Sequence, residues 1–264
     1  MARRRFAGAP EPFIDLSTGI NPYPYPLPVL PGLAFTRLPE PEAAARLEAA
    51  AAEAYGAAGP ALVAAAPGTQ ILIELLPLLW PVETLAVLTP TYGEYAVAWR
   101  RTNCVVSPVE ALDEIGNEKA VVVCNPNNPD GRIIPPPVLL QLADRLERRG
   151  GLLVVDEAFA DLAPDGTSLA PALPHPALIV LRSFGKTYGM AGLRLGFALA
   201  SRERISVIRA ALGPWAVSGP AIAIGSRALA DKVWRATMKE QLAAEASRLD
   251  SCLTEAGLRV TGGT

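Results

Sequence analysis

The chain has one histidine, His175, held between Pro174 and Pro176. A lone histidine in a loop-like setting rules out His-rich metal sites and argues against a Ser-His-Asp triad. Cysteine is scarce as well. Cys104, Cys124 and Cys252 are scattered, odd in number and form no CxxC pair. That pattern argues against a disulfide framework or a zinc site of the CxxC type, and it fits a reducing compartment. No metal is expected. Neither sign of charge is in excess: 24 basic and 26 acidic residues give a net charge of -2. A nucleic-acid binder would carry a basic surplus, so none is expected. The one basic run, Arg3-Arg4-Arg5, is read as a frayed end. Long apolar runs are lacking too. The uncharged stretches 54–73 and 210–226 are each broken by glycines and prolines, which a spanning helix of about 20 residues does not tolerate well. The basic start meets Pro10, Glu11 and Pro12 rather than an apolar segment, so it is not read as a signal peptide. The expectation is a soluble, cytoplasmic protein.

Half of the 264 residues are apolar, enough for a sizeable core. The 22 glycines and 26 prolines stay below the roughly 25–30% that marks low complexity. Residues 1–40 read as a Pro-rich arm, because proline at every second position from Pro22 to Pro28 excludes a helix interior. An Ala-rich helix is predicted over 42–57. Apolar runs then follow at 61–66, 84–88, 120–124, 152–155, 178–181 and 195–200. Helices are predicted between them at 69–79, 92–101, 137–149 and 202–212. Uniformly apolar runs fit strands covered on both faces. The fold class is therefore α/β, a three-layer sandwich with a mainly parallel central sheet. Residues 41–225 are expected to form the large domain. Residues 226–264 would start a small C-terminal domain, with one or two helices over 220–256 and a new strand at Leu258–Thr261.

In an open parallel sheet, ligands sit beyond the carboxyl ends of the strands. After the first run comes Pro67-Gly68-Thr69-Gln70, a helix start suited to an anion but equally to plain capping. After the third run comes Asn125-Pro126-Asn127-Asn128-Pro129-Asp130, richer in Asn-Pro steps than a turn requires. After the fourth comes Asp156, costly at the end of a buried strand unless a cation, an arginine or a capped helix meets it. After the fifth comes Ser183-Phe184-Gly185-Lys186, with Arg194 eight residues on. A lysine in a Gly-rich, apolar setting can lose basicity and attack carbonyls. An acid for a cation, an amine for an aldehyde and an anion site match the three handles of pyridoxal phosphate.

These motifs resemble the class I/II aminotransferase family of fold-type I pyridoxal-phosphate enzymes, from about Asp15 to about Gly262. The resemblance implies that Lys186 bonds to the cofactor aldehyde. It implies Ser183, Arg194, Gly68, Thr69 and Gln70 around the phosphate, Tyr92 stacked on the ring, Asn128 at the ring oxygen O3′ and Asp156 at the ring nitrogen. Lys186 and Asp156 are the catalytic pair. Tyr55 resembles a tyrosine that reaches a neighbouring subunit's phosphate, which implies a homodimer. Asn21, on the arm, is expected to bind substrate. Within the family, the opening Ile14-Asp15-Leu16-Ser17-Thr18-Gly19-Ile20-Asn21-Pro22 resembles the threonine-phosphate decarboxylases of cobalamin biosynthesis. Phe159 stands where the related histidinol-phosphate aminotransferases usually carry a tyrosine. Asp130 departs from the threonine common in the broad family. Family members run on past residue 264 into a domain that supplies an arginine for the substrate carboxylate. The chain is thus expected to be truncated. Three readings stay open: a lyase acting on O-phospho-L-threonine, an aminotransferase acting on histidinol phosphate or a similar amine, and a catalytically silent chain that still binds the cofactor.

Overall fold

A computed structural model describes residues 2–13 and 17–263. Ile14, Asp15 and Leu16, at the head of the N-terminal match, lie outside the described residues. Two single-turn helices, α1 (Ala2–Arg5) and α2 (Leu33–Thr36), flank an otherwise irregular arm. Then α3 (Pro41–Tyr55) leads into β1 (Val63–Ala66), α4 (Thr69–Leu79), β2 (Thr84–Leu88), α5 (Glu94–Arg100) and β3 (Val105–Val109). The chain continues through β4 (Ala120–Cys124), α6 (Pro136–Glu147), β5 (Leu152–Asp156), β6 (Leu178–Ser183), the single turn α7 (Phe184–Thr187) and β7 (Gly196–Ala200). Three helices follow: α8 (Arg202–Leu212), α9 (Gly219–Ala230) and α10 (Lys232–Glu255).

The seven strands form one sheet in the order β1-β7-β6-β5-β4-β2-β3. All neighbouring pairs are parallel except those of β7, which runs antiparallel to β1 and β6. β4, β5 and β7 are buried along their whole length, as expected of strands covered on both faces. Two apolar cores flank the sheet. One joins it to α3, α6 and α9, including Leu47, Leu139 and Ile222; the other joins it to α4, α5 and α8, including Leu72, Trp99 and Ile205.

β3 is an edge strand that the sequence pattern did not reveal. Its Pro108 and its half-exposed residues suit an edge, where a missing donor costs no ladder bond. At the other end, Leu258–Thr261 is not a strand: residues 258–263 are irregular. A strand needs a ladder partner, and this segment instead leads into Gly262 and Gly263, which pack against Asp130 and Gly131. No helix among the described residues is long and apolar enough to cross a membrane.

The arm is tied to the chain that follows β6. The Asn21 amide donates to the Lys186 carbonyl at 3.1 Å, and the Tyr25 amide to the Tyr188 carbonyl at 2.9 Å. The crossing requires Gly189, which sits at φ 64. A Cβ there would come within 2.7 Å of the Asn21 carbonyl oxygen and of Pro24 Cα.

Candidate active site

A cavity of about 340 Å³ opens at the carboxyl ends of the strands. That is a small-ligand size, within the roughly 300–1,000 Å³ of typical pockets. It is lined by Gly68, Thr69, Gln70, Tyr92, Asn128, Asp156, Ser183, Lys186 and Arg194. These nine residues, drawn from six separate segments, therefore line one cavity, together with Phe159.

The strand ends explain the convergence. Asp156 is the last residue of β5 and pairs in the ladder with Cys124 and Leu181. Its Oδ2 accepts from the Tyr95 hydroxyl at 2.7 Å and its Oδ1 from the Ala158 amide at 2.9 Å. Burial pushes this carboxyl above its ordinary range, against the pull of those two donors and of Lys186 and Arg182. Ser183 ends β6 and precedes α7, on which Lys186 rides. Burial lowers the Lys186 ammonium from its ordinary range, and Asp156 opposes the shift. Lys186 Nζ lies 5.5 Å from the centroid of the Phe159 ring. Phe159 in turn closes against the arm, since a Cβ on Gly19 would sit 3.0 Å from its edge.

The anion side is built by close approach. Gly68 caps α4 at φ 89, and a Cβ there would stand 2.6 Å from Arg194 Nη2. So only a residue without a side chain lets the guanidinium lie against the helix start, where free N–H groups favour anions. Tyr92 donates to Gln70 Oε1 at 3.3 Å and stands edge-on to Tyr95, centroids 6.5 Å apart. Asn128 sits on a turn held by its neighbours. Asn127 donates to Asp130 Oδ1 at 2.7 Å, and Asp130 also accepts from the Arg132 amide at 3.0 Å. Asp130 thus serves the turn itself.

Two expected residues do not line this cavity. Tyr55 is buried within its own subunit, its ring 5.6 Å from that of Phe197 and 4.3 Å from the Arg182 guanidinium. Tyr55 thus stands outside this cavity and borders a second cleft with Lys232 and Arg235. Asn21 is buried too, and both ends of its amide are engaged: Nδ2 donates to the Thr187 carbonyl at 2.8 Å, and Oδ1 accepts from the Tyr23 amide at 2.8 Å. It fastens the arm to the Lys186 segment rather than facing a substrate. Conversely, Tyr95 and Cys124 escaped sequence reasoning. Cys124 lines the cavity, with its thiol pushed up to about 12 by burial and by the Asp156 charge. Tyr95 sits on α5 one turn beyond Tyr92, which is the single signal that could have found it.

Residues 14–264 match the family model for aminotransferase class I and II. The chain belongs to that family. It is 45% identical to a threonine-phosphate decarboxylase from Sinorhizobium, over the whole of this chain and 79% of that one. A threonine-phosphate decarboxylase from Pseudomonas aeruginosa is 42% identical, over the whole of this chain and 78% of its own length. The fold is shared with the histidinol-phosphate aminotransferase of Sinorhizobium meliloti, crystallised with pyridoxal-5'-phosphate, at a TM-score of 0.76 and 24% identity. That likeness covers 86% of this chain and 66% of the other. The cavity fits such a cofactor on its own chemistry. A buried carboxylate, a half-buried amine of lowered basicity and a side-chain-free anion cradle stand in one wall.

Proposed function

We propose that this family member is a pyridoxal-phosphate-dependent lyase that decarboxylates O-phospho-L-threonine to aminopropanol phosphate, a step of cobalamin biosynthesis. The carrying observation is the meeting of Lys186, Asp156 and the Gly68–Arg194 cradle in one cavity. It occurs in a chain 45% identical along its whole length to a threonine-phosphate decarboxylase. Lys186 would hold the cofactor through its amine, while Thr69, Ser183 and Arg194 would take the phosphate and Gln70 would support it from the first turn of α4. Tyr92 would cover the ring, and Asn128 would donate to its oxygen. When bound, the cofactor supplies an electron sink for the pair left at Cα as the Cα–carboxylate bond breaks. Asp156, ionised and oriented by Tyr95, would keep a proton on the ring nitrogen. Lys186, released by the incoming amine, would deliver the proton that takes the place of CO2.

Residues 41–225 would form the cofactor-binding body, and 226–264 would begin a small domain. The working unit would be a homodimer. Phe35, Leu38 and Trp215 line one groove and are all exposed, an apolar surface a second copy would cover. Sedimentation showing a monomer at micromolar concentration would refute the dimer.

The aminotransferase alternative rests on the fold shared with the histidinol-phosphate enzyme. One experiment separates the two. The protein, loaded with pyridoxal phosphate, is given O-phospho-L-threonine, or histidinol phosphate with a keto acid. Release of CO2 and aminopropanol phosphate is expected. Amino transfer to the keto acid, with phosphothreonine untouched, would overturn the lyase reading.

A further inference from the structure

Behind the cavity lies a cluster of charge with no place in the chemistry above. Strand alternation sends Asp156 and Ser183 towards the cavity and their neighbours, Glu157 and Arg182, to the opposite side. Arg182 Nη1 donates to Glu157 Oε2 at 2.9 Å, and Nη2 reaches Asp161 Oδ1. Glu157 also accepts from the Ser168 hydroxyl at 2.6 Å and from the Leu169 amide at 2.7 Å. The Arg182 guanidinium covers the Tyr55 ring. The side chains of Arg182 and Glu157 are 4% and 0% exposed.

A fully buried ion pair contributes little net stability, since desolvation consumes most of the attraction. Its position is more telling than its energy. It spans the ends of β5 and β6, one residue away from Asp156 on one strand and from Ser183 on the other. Backbone pairing there is almost exhausted: the Glu157 amide, donating to the Leu181 carbonyl at 2.9 Å, continues the ladder one step past β5. Beyond it, Ser183 is still paired with Gly196 of β7 and the Asp156 carbonyl still accepts from the Asn125 amide, but the direct link between the ends of β5 and β6 is made by side chains. The fork of Arg182 fixes that spacing in two directions at once, through Glu157 and through Asp161, as a single-point ammonium cannot.

We propose that Arg182, Glu157 and Asp161 form a brace that sets the distance between Asp156 and the Ser183–Lys186 segment, making Arg182 and Glu157 positioning residues for the reaction. The inference rests on the cofactor reading given above. Arg182→Lys keeps the charge and loses the fork; Glu157→Gln keeps the shape and loses the pairing. The control, Arg209→Lys, disturbs a two-point arginine–glutamate ion pair elsewhere, a more exposed one with Glu48, that is anchored near the start of β1.

Two measurements are made on each folded variant. One is the dissociation constant for pyridoxal phosphate, from quenching of tryptophan fluorescence. The other is amide hydrogen exchange of the cofactor-free protein. The brace variants should bind the cofactor roughly tenfold more weakly, the scale on which outer partners act in metal sites. Exchange should quicken in peptides covering 156–159 and 182–188 and stay unchanged in β1. The control should show the reverse pattern, with cofactor binding intact. Unchanged affinity with unchanged exchange at 182–188 would overturn the brace, and so would exchange that quickens equally everywhere. If the native protein itself binds no pyridoxal phosphate, the proposed function fails, and the exchange pattern alone decides the brace. Should either variant fail to fold, the triple variant Arg182→Met, Glu157→Met and Asp161→Asn carries the same measurements, since it buries no unpaired charge.

Discussion

Tyr95→Phe removes a single oxygen from a fully buried ring, and that oxygen is one of two donors to Asp156. The 2.7 Å separation falls in the short range of charge-assisted bonds. Hydrogen bonds to charged groups contribute roughly 1.5–3 kcal/mol. Burial already raises the Asp156 carboxyl, and the hydroxyl works against that rise, so its loss raises the carboxyl further. An acid raised on folding incurs no penalty below its unfolded-state pKa and the full penalty above its folded-state pKa. A bound pyridinium offsets that penalty by pairing with the charge, so cofactor affinity weakens where Asp156 must first ionise. The variant should therefore lose affinity on the acid side and match the native protein on the alkaline side, where Asp156 is ionised with or without cofactor. The largest gap is set by the lost bond, about 10- to 100-fold at roughly 1.4 kcal/mol per tenfold. Fluorescence titration of pyridoxal phosphate across pH, on both proteins, reads this directly. A gap constant with pH, or no gap at all, would refute the assignment of Asp156 as the partner of the ring nitrogen.

Lys186→Ala should abolish the label left by borohydride reduction of the cofactor-loaded protein; label mapped to Lys119, Lys232 or Lys239 in the native chain would overturn the assignment. Gly68→Ala places a methyl 2.6 Å from Arg194 Nη2 at a φ of 89 and ψ of 162, an essentially glycine-only conformation with a backbone cost of about 1–3 kcal/mol. The protein should still fold but bind the cofactor at least roughly tenfold more weakly, and intact affinity would mean that the cradle lies elsewhere. Phe159→Tyr should put a hydroxyl beside the ring oxygen to which Asn128 is proposed to donate. The spectral titration of the Lys186-bound cofactor should then move to lower pH, because a second donor lets that oxygen hold the neighbouring proton less tightly. An unmoved midpoint would leave Phe159 as packing between Gly19 and Lys186.

The sheet was legible because its strands are buried on both faces and so carry an unbroken apolar signal. The runs at 84–88 and 120–124 coincide with β2 and β4. The helices at 69–79 and 202–212 coincide with α4 and α8: α4 is a long, largely apolar stretch headed by Thr69 and Gln70, and α8 interleaves polar and apolar residues around its turns. β3 lacked that signal, since Val105-Val106-Ser107-Pro108-Val109 sits at an edge with one side wet. The mistaken strand at 258–261 shows the opposite failure. Leu258 and Val260 alternate with polar residues as a strand would, but alternation reports compatibility with a ladder and not the presence of a neighbour to pair with. The antiparallel placement of β7 between β1 and β6 was equally hidden, because strand direction follows from tertiary packing rather than from composition.

The cavity was legible for a related reason: its residues sit where apolar runs stop, and an ionisable group at such a stop is conspicuous. What the sequence could not assign was which of two adjacent acids would take the arginine. Asp156 and Glu157 are consecutive, and an arginine was one of the partners open to Asp156. The structure gives Arg182 to Glu157, on the side of β5 away from the cavity. Asp156 is left with two neutral donors and with Lys186 and Arg182 acting only through the field. Tyr55 was hard to place for a similar cause, since a tyrosine at the end of an Ala-rich helix carries no mark of the face it will bury. It went to the Arg182 side, beneath the guanidinium. The division follows from the pleat: burial raises both carboxyls, but one residue's shift along the chain separates the acid that holds a direct ion pair from the acid that shows none among the described residues. A carboxyl in that second state gains most from a cation brought in by a ligand, which is why the reaction is assigned to the Asp156 face and the brace to the Glu157 face.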